Sequence, residues 1–422
     1  MTEPETTRPE TTDPDPRGAD PHRADPHRAD PHGADARDAD PHSADAENAD
    51  TDPTLRRQLT VSERDPDALA ADLAAWLRTR VEAEGMPVVT NASIPQNSGM
   101  SSTSVFFDAT WQSGGIRDGG SFVARLAPDP RDFPVFHTYD LATQFHVMAG
   151  VAATTSVPVP PLCWLETDPG VLGTEFFVMR RVEGRVPTDN PPYVFLGWLF
   201  EATERDRAAL ADRTVETIAA IHAVPDPARR FPMLDGPGQA LRRHVDWHRE
   251  WYDWALAADG YRIPIIERAF DWLEEHWPTD PGQDVLLWGD ARPGNIIFDG
   301  FEPAAVLDWE MAALGPREVD VAWAVFIHRF FQDIATRFDQ PGLPDFLRLS
   351  QTVATYERAS GHRLRDMDFH LVYAALRHAV VMARIKRRML HFGEDTDTDD
   401  RDDYVMHRAL LAAMLDGTCA WD

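Results

Sequence analysis

Residues 286–298 have the sequence LLWGDARPGNIIF, and residues 306–310 follow with VLDWE. Short apolar runs, typical of buried strands, flank a polar loop that holds Asp290 and Asn295. A third apolar run ends at Asp308. The pattern therefore predicts two carboxylates and one amide at the ends of neighbouring strands.

These three side chains suit phosphoryl transfer. One carboxylate, Asp290, can accept the proton of an attacking hydroxyl, while Asn295 and Asp308 hold Mg²⁺ against the nucleotide phosphates. Asp and Asn also cap turns without any chemical role, and either residue alone would favour that interpretation. The presence of all three at this spacing favours a catalytic site.

The same spacing is that of the catalytic loop and metal-binding Asp of protein-kinase-like enzymes. With the strings at 288–295 and 306–310, the chain resembles the aminoglycoside phosphotransferase family from about Leu59 to the C-terminus. It is most similar to the branch found with acyl-CoA dehydrogenases and to mycobacterial members. The resemblance implies an α+β, protein-kinase-like fold of two lobes, with a small β-rich N-terminal lobe (residues 54–181) and a larger, mostly helical C-terminal lobe (182–422).

The resemblance also implies an activity. We expect an ATP-dependent phosphotransferase that moves the γ-phosphate to a hydroxyl of a small molecule, with ATP and Mg²⁺ as cofactors. Asp290 is then the catalytic base. Arg292, inside the loop, either contacts phosphate or braces Asp290.

Three parts of the N-terminal lobe are implied to bind the nucleotide. A turn of small residues between the first two predicted strands offers free backbone N–H groups for phosphates. The third strand is also implied to contact the nucleotide. The segment after the fifth strand is implied to contact adenine. The residues implied are Ser98, Gly99, Met100 and Ser101 in the turn, Val123 and Arg125 in the third strand, and Met179, Arg181 and Val182 after the fifth.

Arg125 stands where protein kinases have a lysine that grips the phosphates. Arginine keeps the charge and adds a planar, bidentate set of donors. A local ion pair with an acid such as Asp129 is the alternative. The helix that follows normally supplies a Glu for this cation, but the matching residue is Gln144, which can orient Arg125 by a hydrogen bond but cannot neutralise it.

The first 53 residues differ in composition from the rest. Units such as Pro-His-Arg-Ala-Asp recur, and fifteen acidic residues against five arginines give this segment a net charge of -10. Large apolar side chains are nearly absent, so burial cannot offset the entropy of ordering. We therefore predict a disordered acidic arm at residues 1–53.

Charge and composition exclude several classes of function. A formal net charge of -29 argues against nonspecific binding to nucleic acid or to an anionic membrane. Lys386 is the only lysine, so no Gly-rich loop can end in Gly-Lys-Ser/Thr and a P-loop is excluded. Two isolated cysteines and the lack of an 18-residue apolar run predict a reduced, cytoplasmic protein without a membrane span.

A second function remains open from the sequence. Arg125, Gln144 and Trp288, the last in place of a catalytic-loop His, all depart from the common pattern, as in a nucleotide-binding pseudokinase that acts through partners. The intact set of Asp290, Asn295 and Asp308 argues for catalysis instead. The identity of the phosphate acceptor and the oligomeric state are not determined by the sequence.

Overall fold

The computed structural model of the protein describes residues 65–95, 102–256, 260 and 262–421. The predicted disordered arm at residues 1–53 lies outside the described residues. So does the predicted phosphate-binding turn at residues 98–101.

An antiparallel sheet of five strands forms the N-terminal lobe, in the order β1-β2-β3-β5-β4. Alternate residues of β2, including Val105 and Phe107, are buried, which is the period expected of a sheet with one covered face. Helix α1 packs with this sheet, and α2 lies between β3 and β4 in the chain. The elements are α1 Pro66–Leu77, β1 Val88–Ser93, β2 Thr103–Ser113, β3 Ile116–Leu126, α2 Leu141–Thr154, β4 Leu162–Glu166 and β5 Phe176–Arg180.

The contacts at the end of α1 explain why it is shorter than its sequence pattern predicts. The apolar pattern predicts a helix from Pro66 to Glu84, but α1 ends at Leu77. Trp76 donates from Nε1 to Glu166 on β4 at 2.8 Å, and Arg80 forms an ion pair with the same carboxylate. These bonds fasten the helix end to the sheet, and the chain turns toward β1.

The connection between the lobes passes through Gly184. Its φ is +148°, and a Cβ there would lie 2.6 Å from the carbonyl oxygen of Phe298. Only glycine therefore allows the next residue, Arg185, to exchange two backbone hydrogen bonds with Phe298, at 2.8 and 2.9 Å. The linker is thereby fixed against the strand that follows the polar loop.

Helices make up most of the C-terminal lobe, with two small antiparallel sheets among them. One sheet pairs β6 with β9, and the other pairs β7 with β8. The helices are α3 Glu204–His222, α4 Pro227–Arg230, α5 Ala240–Leu256, α6 Pro264–Glu275, α7 Glu318–Arg337, α8 Leu349–Ser360, α9 Met367–His391 and α10 Arg408–Leu415. The strands are β6 Asp284–Leu287, β7 Ile296–Asp299, β8 Glu302–Val306 and β9 Ala313–Pro316.

The sequence places most of these elements within a few residues, and two helices differ. The pattern predicts a helix from Pro344, but α8 begins at Leu349, after a residue in the left-handed region at Leu347. A helix predicted from Asp402 is split into a 3₁₀ turn at Arg401–Tyr404 and α10. Polar capping within the acidic segment competes there with a continuous helix.

The core of this lobe is built around α7 and α9. Each of these two helices buries residues on most of its circumference, as a central helix does. The sequence pattern favours a core position for the aromatic residues of α5 over a wall of the substrate cleft, and Trp251 and Tyr252 are fully buried. None of the described helices combines the length and apolar character that a membrane crossing requires.

Candidate active site

The polar loop between β6 and β7 is held from behind by the core of the C-terminal lobe. Backbone N–H groups of Trp288 and Gly289 donate to the two carboxylate oxygens of Asp320, at 2.7 and 3.0 Å. Arg377 donates from Nη2 to the Gly289 carbonyl at 2.7 Å. Gly289 has φ +92°, and a Cβ there would meet the Met311 carbonyl at 2.1 Å, so no larger residue fits.

Asp320 is completely buried at the start of α7. Besides the two loop N–H groups, His222 lies 3.0 Å away through Nε2. The other ring nitrogen of His222 lies 2.8 Å from the hydroxyl of Tyr356. A buried carboxylate with this many partners is satisfied as a structural anchor, the role that the family resemblance implies for it.

Asp290 accepts hydrogen bonds from three side chains. Arg292 donates from Nε to both carboxylate oxygens, at 3.0 and 2.9 Å. Asn295 donates from Nδ2 at 2.7 Å, and Trp323 of α7 donates from Nε1 at 2.6 Å. Asp290 is therefore fixed in orientation from several directions.

These donors decide the charge state of Asp290. Burial on its own raises the pKa of a carboxyl group, but Arg292, Trp323 and Asn295 outweigh it, and the pKa of Asp290 lies below its ordinary value. The group is ionised at neutral pH. It can orient an acceptor hydroxyl and receive its proton as the oxygen becomes acidic during transfer, although it is a weak base at rest.

Arg292 bridges Asp290 to a second carboxylate, Asp189, with which it forms a close ion pair. Burial lowers the pKa of the guanidinium, and the two acids reverse this and raise it. Of the two roles left open by the sequence, the structure shows Arg292 in contact with Asp290, as in bracing.

Asn295 is buried and lies in a 3₁₀ turn before β7. Its Nδ2 donates to the Asp290 carboxylate and, at 3.1 Å, to the Asp290 carbonyl. The backbone carbonyl of Asn295 accepts from the N–H of Leu307, which precedes Asp308. The amide nitrogen is thus committed, and the side-chain oxygen is the atom that chemistry leaves for a hard cation.

Asp308 lies two residues after β8 with φ +59°, in the left-handed region that side-chain-bearing residues rarely occupy. Arg125 reaches it from the N-terminal lobe, with Nη2 3.0 Å from Oδ1. Burial raises the pKa of Asp308, while Arg125 pulls it down and Asp290 adds to the rise; the net direction is upward.

Arg125 contacts further groups in both lobes, and we call the region where the lobes meet around Arg125, Asp290 and Asp308 the cleft. Its Nη1 donates to Oγ of Ser104 at 3.1 Å, and Nη2 lies 3.8 Å from Oε2 of Glu310. Asp129, the alternative partner considered from the sequence, accepts instead from Arg131. In the described part of the chain, none of the hydrogen bonds of Arg125 reaches the buried Gln144.

Trp288 stands where the family resemblance implies a His, and its indole ring supports the loop through other contacts. The ring is fully buried, donates from Nε1 to the Leu307 carbonyl at 2.8 Å, and packs against Trp309 with 6.2 Å between ring centroids. The indole therefore ties the catalytic loop to the segment that carries Asp308. The substitution keeps the loop supported.

The remaining predicted nucleotide residues lie on adjoining strands. Val123 of β3 pairs in register with Met179 of β5. The N–H of Arg181 donates to the Ser121 carbonyl at 3.0 Å, and its side chain forms an ion pair with Glu183 at 3.2 Å. Val182 follows in the linker between the lobes. These residues lie on the inner strands β3 and β5 and in the segment that follows β5 toward the connection between the lobes. The predicted turn at 98–101 lies outside the described residues.

A profile of the phosphotransferase enzyme family matches residues 94–362, more than half of the chain. The chain belongs to this family. Acyl-CoA dehydrogenase family member 11 of Gallus gallus is 32% identical over 213 residues, which cover 49% of this chain and 25% of the relative. Its human counterpart is 30% identical over 205 residues, 48% of this chain and 24% of the relative. The match thus spans about a quarter of the length of these relatives.

Solved phosphotransferase structures have the same fold. A protein from Ralstonia eutropha, provisionally named an aminoglycoside phosphotransferase, is 23% identical with a TM-score of 0.57, over 82% of this chain and 96% of the other. An aminoglycoside phosphotransferase in a ternary complex with AMP-PNP and hygromycin B is 16% identical with a TM-score of 0.51, over 83% and 100%. The predicted protein-kinase-like fold of this family member is confirmed.

The donor set of this phosphotransferase family member fits a magnesium ion shared with phosphates. Asn295 and Asp308 supply one amide oxygen and one carboxylate, a set that needs phosphate oxygens or water to complete it. No group of three or more His, Cys, Asp or Glu side chains suited to a metal occurs among the described residues. A magnesium ion held by Asn295 and Asp308 would take its remaining ligands from phosphate oxygens or water.

Four residues that contribute to this site were not predicted from the sequence. Asp189 and Arg377 come from distant parts of the chain and carry no motif, so only the fold reveals their contacts. Trp323 follows Asp320 by three residues, about one helical turn, which places both on the loop-facing side of α7. Glu310 stands two residues after Asp308, within the stretch that identifies the fold.

Proposed function

We propose that this family member transfers the γ-phosphate of ATP to a hydroxyl of a small molecule. The observation that carries the proposal is the convergence of Asp290, Asn295 and Asp308 in one cleft, with Arg125 reaching Asp308 from the opposite lobe. Phosphoryl transfer depends on the positioning of the reactants and on the stabilisation of charge on the phosphates. The two carboxylates and the guanidinium of this cleft can serve these two purposes.

Each residue has a definite task in the proposal. Asp290 orients the acceptor hydroxyl and takes its proton, while Arg292 and Trp323 fix the carboxylate. Asn295 and Asp308 would hold Mg²⁺, which when bound neutralises charge on the phosphates. Arg125 would bind phosphate oxygens.

We propose that the nucleotide contacts come from the inner strands β3 and β5, from the segment after β5 and from the turn at 98–101. Main-chain groups near Met179, Arg181 and Val182 would contact the base, Val123 would cover it, and the turn at 98–101 would close over the phosphates. Support comes from the described residues among them: Val123 lies on the same strand as Arg125 and pairs with Met179, and Arg181 and Val182 follow directly in the chain.

The decisive experiment is a screen of hydroxyl compounds for ATP consumption. The panel includes aminoglycosides, macrolides, amino alcohols, sugars and hydroxylated acyl compounds, each incubated with Mg²⁺ and ATP. Phosphorylation of any of them by wild type, and not by Asp290→Asn, supports the proposal. Nucleotide binding without phosphorylation of any acceptor, and without ATP hydrolysis that depends on Asp290, would favour a pseudokinase.

A further inference from the structure

Arg125 carries a charge in a confined place. Its side chain is 14% exposed, and a guanidinium with so little water around it needs an opposite charge nearby. At the position on α2 where the family resemblance implies an acid, this chain has Gln144, which is neutral and buried. The balancing charge therefore comes from elsewhere.

Two acids of the opposite lobe face Arg125. Asp308 is bonded to it at 3.0 Å, and Glu310, with a side chain only 9% exposed, lies at 3.8 Å. Under the proposed function Asp308 also ligates magnesium, and a carboxylate shared with a dication offers less negative charge to a guanidinium. Glu310 has no such second task in that proposal.

Glu310 is itself held in place by the N-terminal lobe. The hydroxyl of Ser102 donates to Oε2 of Glu310 at 3.2 Å, and that oxygen is the one that faces Arg125. Ser104, two residues further along the same stretch, accepts from Nη1 of Arg125. Ser104 lies opposite Arg125 in the β2–β3 register, and Ser102 stands just before β2. Through these hydrogen bonds both serines and Arg125 form one polar group against Glu310.

We propose that Glu310 is the acid that positions Arg125 for the nucleotide, in place of an acid on α2. This inference rests on the proposed function. In this proposal Glu310 does not touch the reacting atoms. Glu310 is a positioning residue that acts through Arg125. The charge partner of the phosphate-binding cation is thereby moved from the N-terminal lobe to the segment that carries Asp308.

The test is nucleotide binding to the full chain by calorimetry, with ADP in EDTA and with ATP in Mg²⁺. Glu310→Gln keeps the shape and the acceptor for Ser102 but removes the charge. We expect affinity to fall roughly three- to tenfold under both conditions. In an Arg125→Met background the same change should have almost no further effect, because its target is gone.

Three controls accompany this double-mutant cycle. Glu302→Gln removes one negative charge from an exposed side chain that pairs with Arg213, away from the cleft, and should leave binding unchanged. Melting temperatures of all variants establish that each is folded. Glu310→Asp, which keeps the charge on a shorter side chain, should recover part of the lost affinity.

Three results would overturn the inference. A loss that appears only with Mg²⁺ would make Glu310 a metal ligand. If Glu310→Gln lowers nucleotide affinity equally in the wild-type and Arg125→Met backgrounds, Glu310 and Arg125 are not coupled. If Glu302→Gln lowers affinity as much as Glu310→Gln does, the effect comes from the net charge of the protein and not from the position of Glu310. If wild type binds no nucleotide at all, the proposed function itself fails, which is a separate outcome.

Discussion

Asp290 and Asp308 lie in the same cleft, but their support comes from different lobes. The loop of Asp290 is fastened to the C-terminal lobe through Asp320, Arg377 and Trp323. Asp308 is bonded across the cleft to Arg125 of the N-terminal lobe. Surrounding donors lower the pKa of Asp290, whereas burial raises that of Asp308.

This difference shows which part of the site depends on the relative position of the two lobes. The Asp290 loop is complete within one lobe and keeps its geometry if the lobes move relative to each other. The environment of Asp308 changes whenever Arg125 moves. We infer that the chemical step depends on the first region and nucleotide binding on the second.

Asp290→Asn should produce the largest effect on the first region. Removing the proton acceptor is expected to lower phosphoryl transfer by about 10²–10⁴-fold, since that is the usual worth of general-base help. Affinity for ATP should change little, because the amide keeps the shape of the side chain. Single-turnover rates and calorimetry measure the two quantities; transfer within a few-fold of wild type would remove Asp290 from the mechanism.

Acidification should weaken the support behind the Asp290 loop, where Nε of Arg377 donates to Nε2 of the buried His248 at 3.3 Å and His244 lies against His248. Burial, together with neighbouring positive groups including Arg377, puts the pKa of His244 and of His248 well below the ordinary value of about 6.5. The unfolded chain therefore binds more protons than the folded one as pH falls. Stability is complete above about pH 6.5 and declines below it, by about 1.4 kcal/mol per pH unit for each such histidine.

Melting temperatures between pH 7.5 and 5.5 test this expectation. His244→Gln, compared with wild type, should flatten the decline because one proton-binding site of the unfolded chain is gone. A melting temperature that is constant over this window would contradict the assignment of neutral, buried histidines behind the loop.

Asp308→Ala should weaken binding of ATP in Mg²⁺ at least tenfold, and more than Asn295→Ala does. A carboxylate holds a hard dication more tightly than a neutral amide. Titration of nucleotide with and without Mg²⁺ separates the metal effect from the loss of the bond to Arg125. Unchanged affinity in Asp308→Ala with Mg²⁺ present would defeat the metal assignment.

Trp323→Phe should give the smallest change, a fall of about tenfold or less in kcat. It removes one donor to Asp290 and leaves Arg292 and Asn295 in place. KM for ATP should stay constant, because Trp323 belongs to the region that we assign to chemistry. A larger effect on KM than on kcat would break the division between the two regions.

Much of the fold was predictable from local pattern. Apolar runs identify the five strands of the N-terminal lobe, although β3 begins at Ile116 and not at the predicted Ser121. Helical periodicity identifies most helices of the C-terminal lobe. The ends of α1 and α8 were missed, because contacts with Glu166 and a left-handed residue at Leu347 terminate or delay them. Such tertiary and conformational effects leave no mark on periodicity.

The sequence by itself determined the spacing of Asp290, Asn295 and Asp308, and with it the family, since these residues lie close together in the chain between short strands. It also showed that Arg125 is the candidate phosphate-binding cation and that Gln144 is neutral. Only the tertiary structure decided which acids face Arg125, and that Asp189, Trp323 and Arg377 support the loop. Those contacts join residues tens to more than a hundred positions apart, and only the packing of the lobes and helices sets their distances.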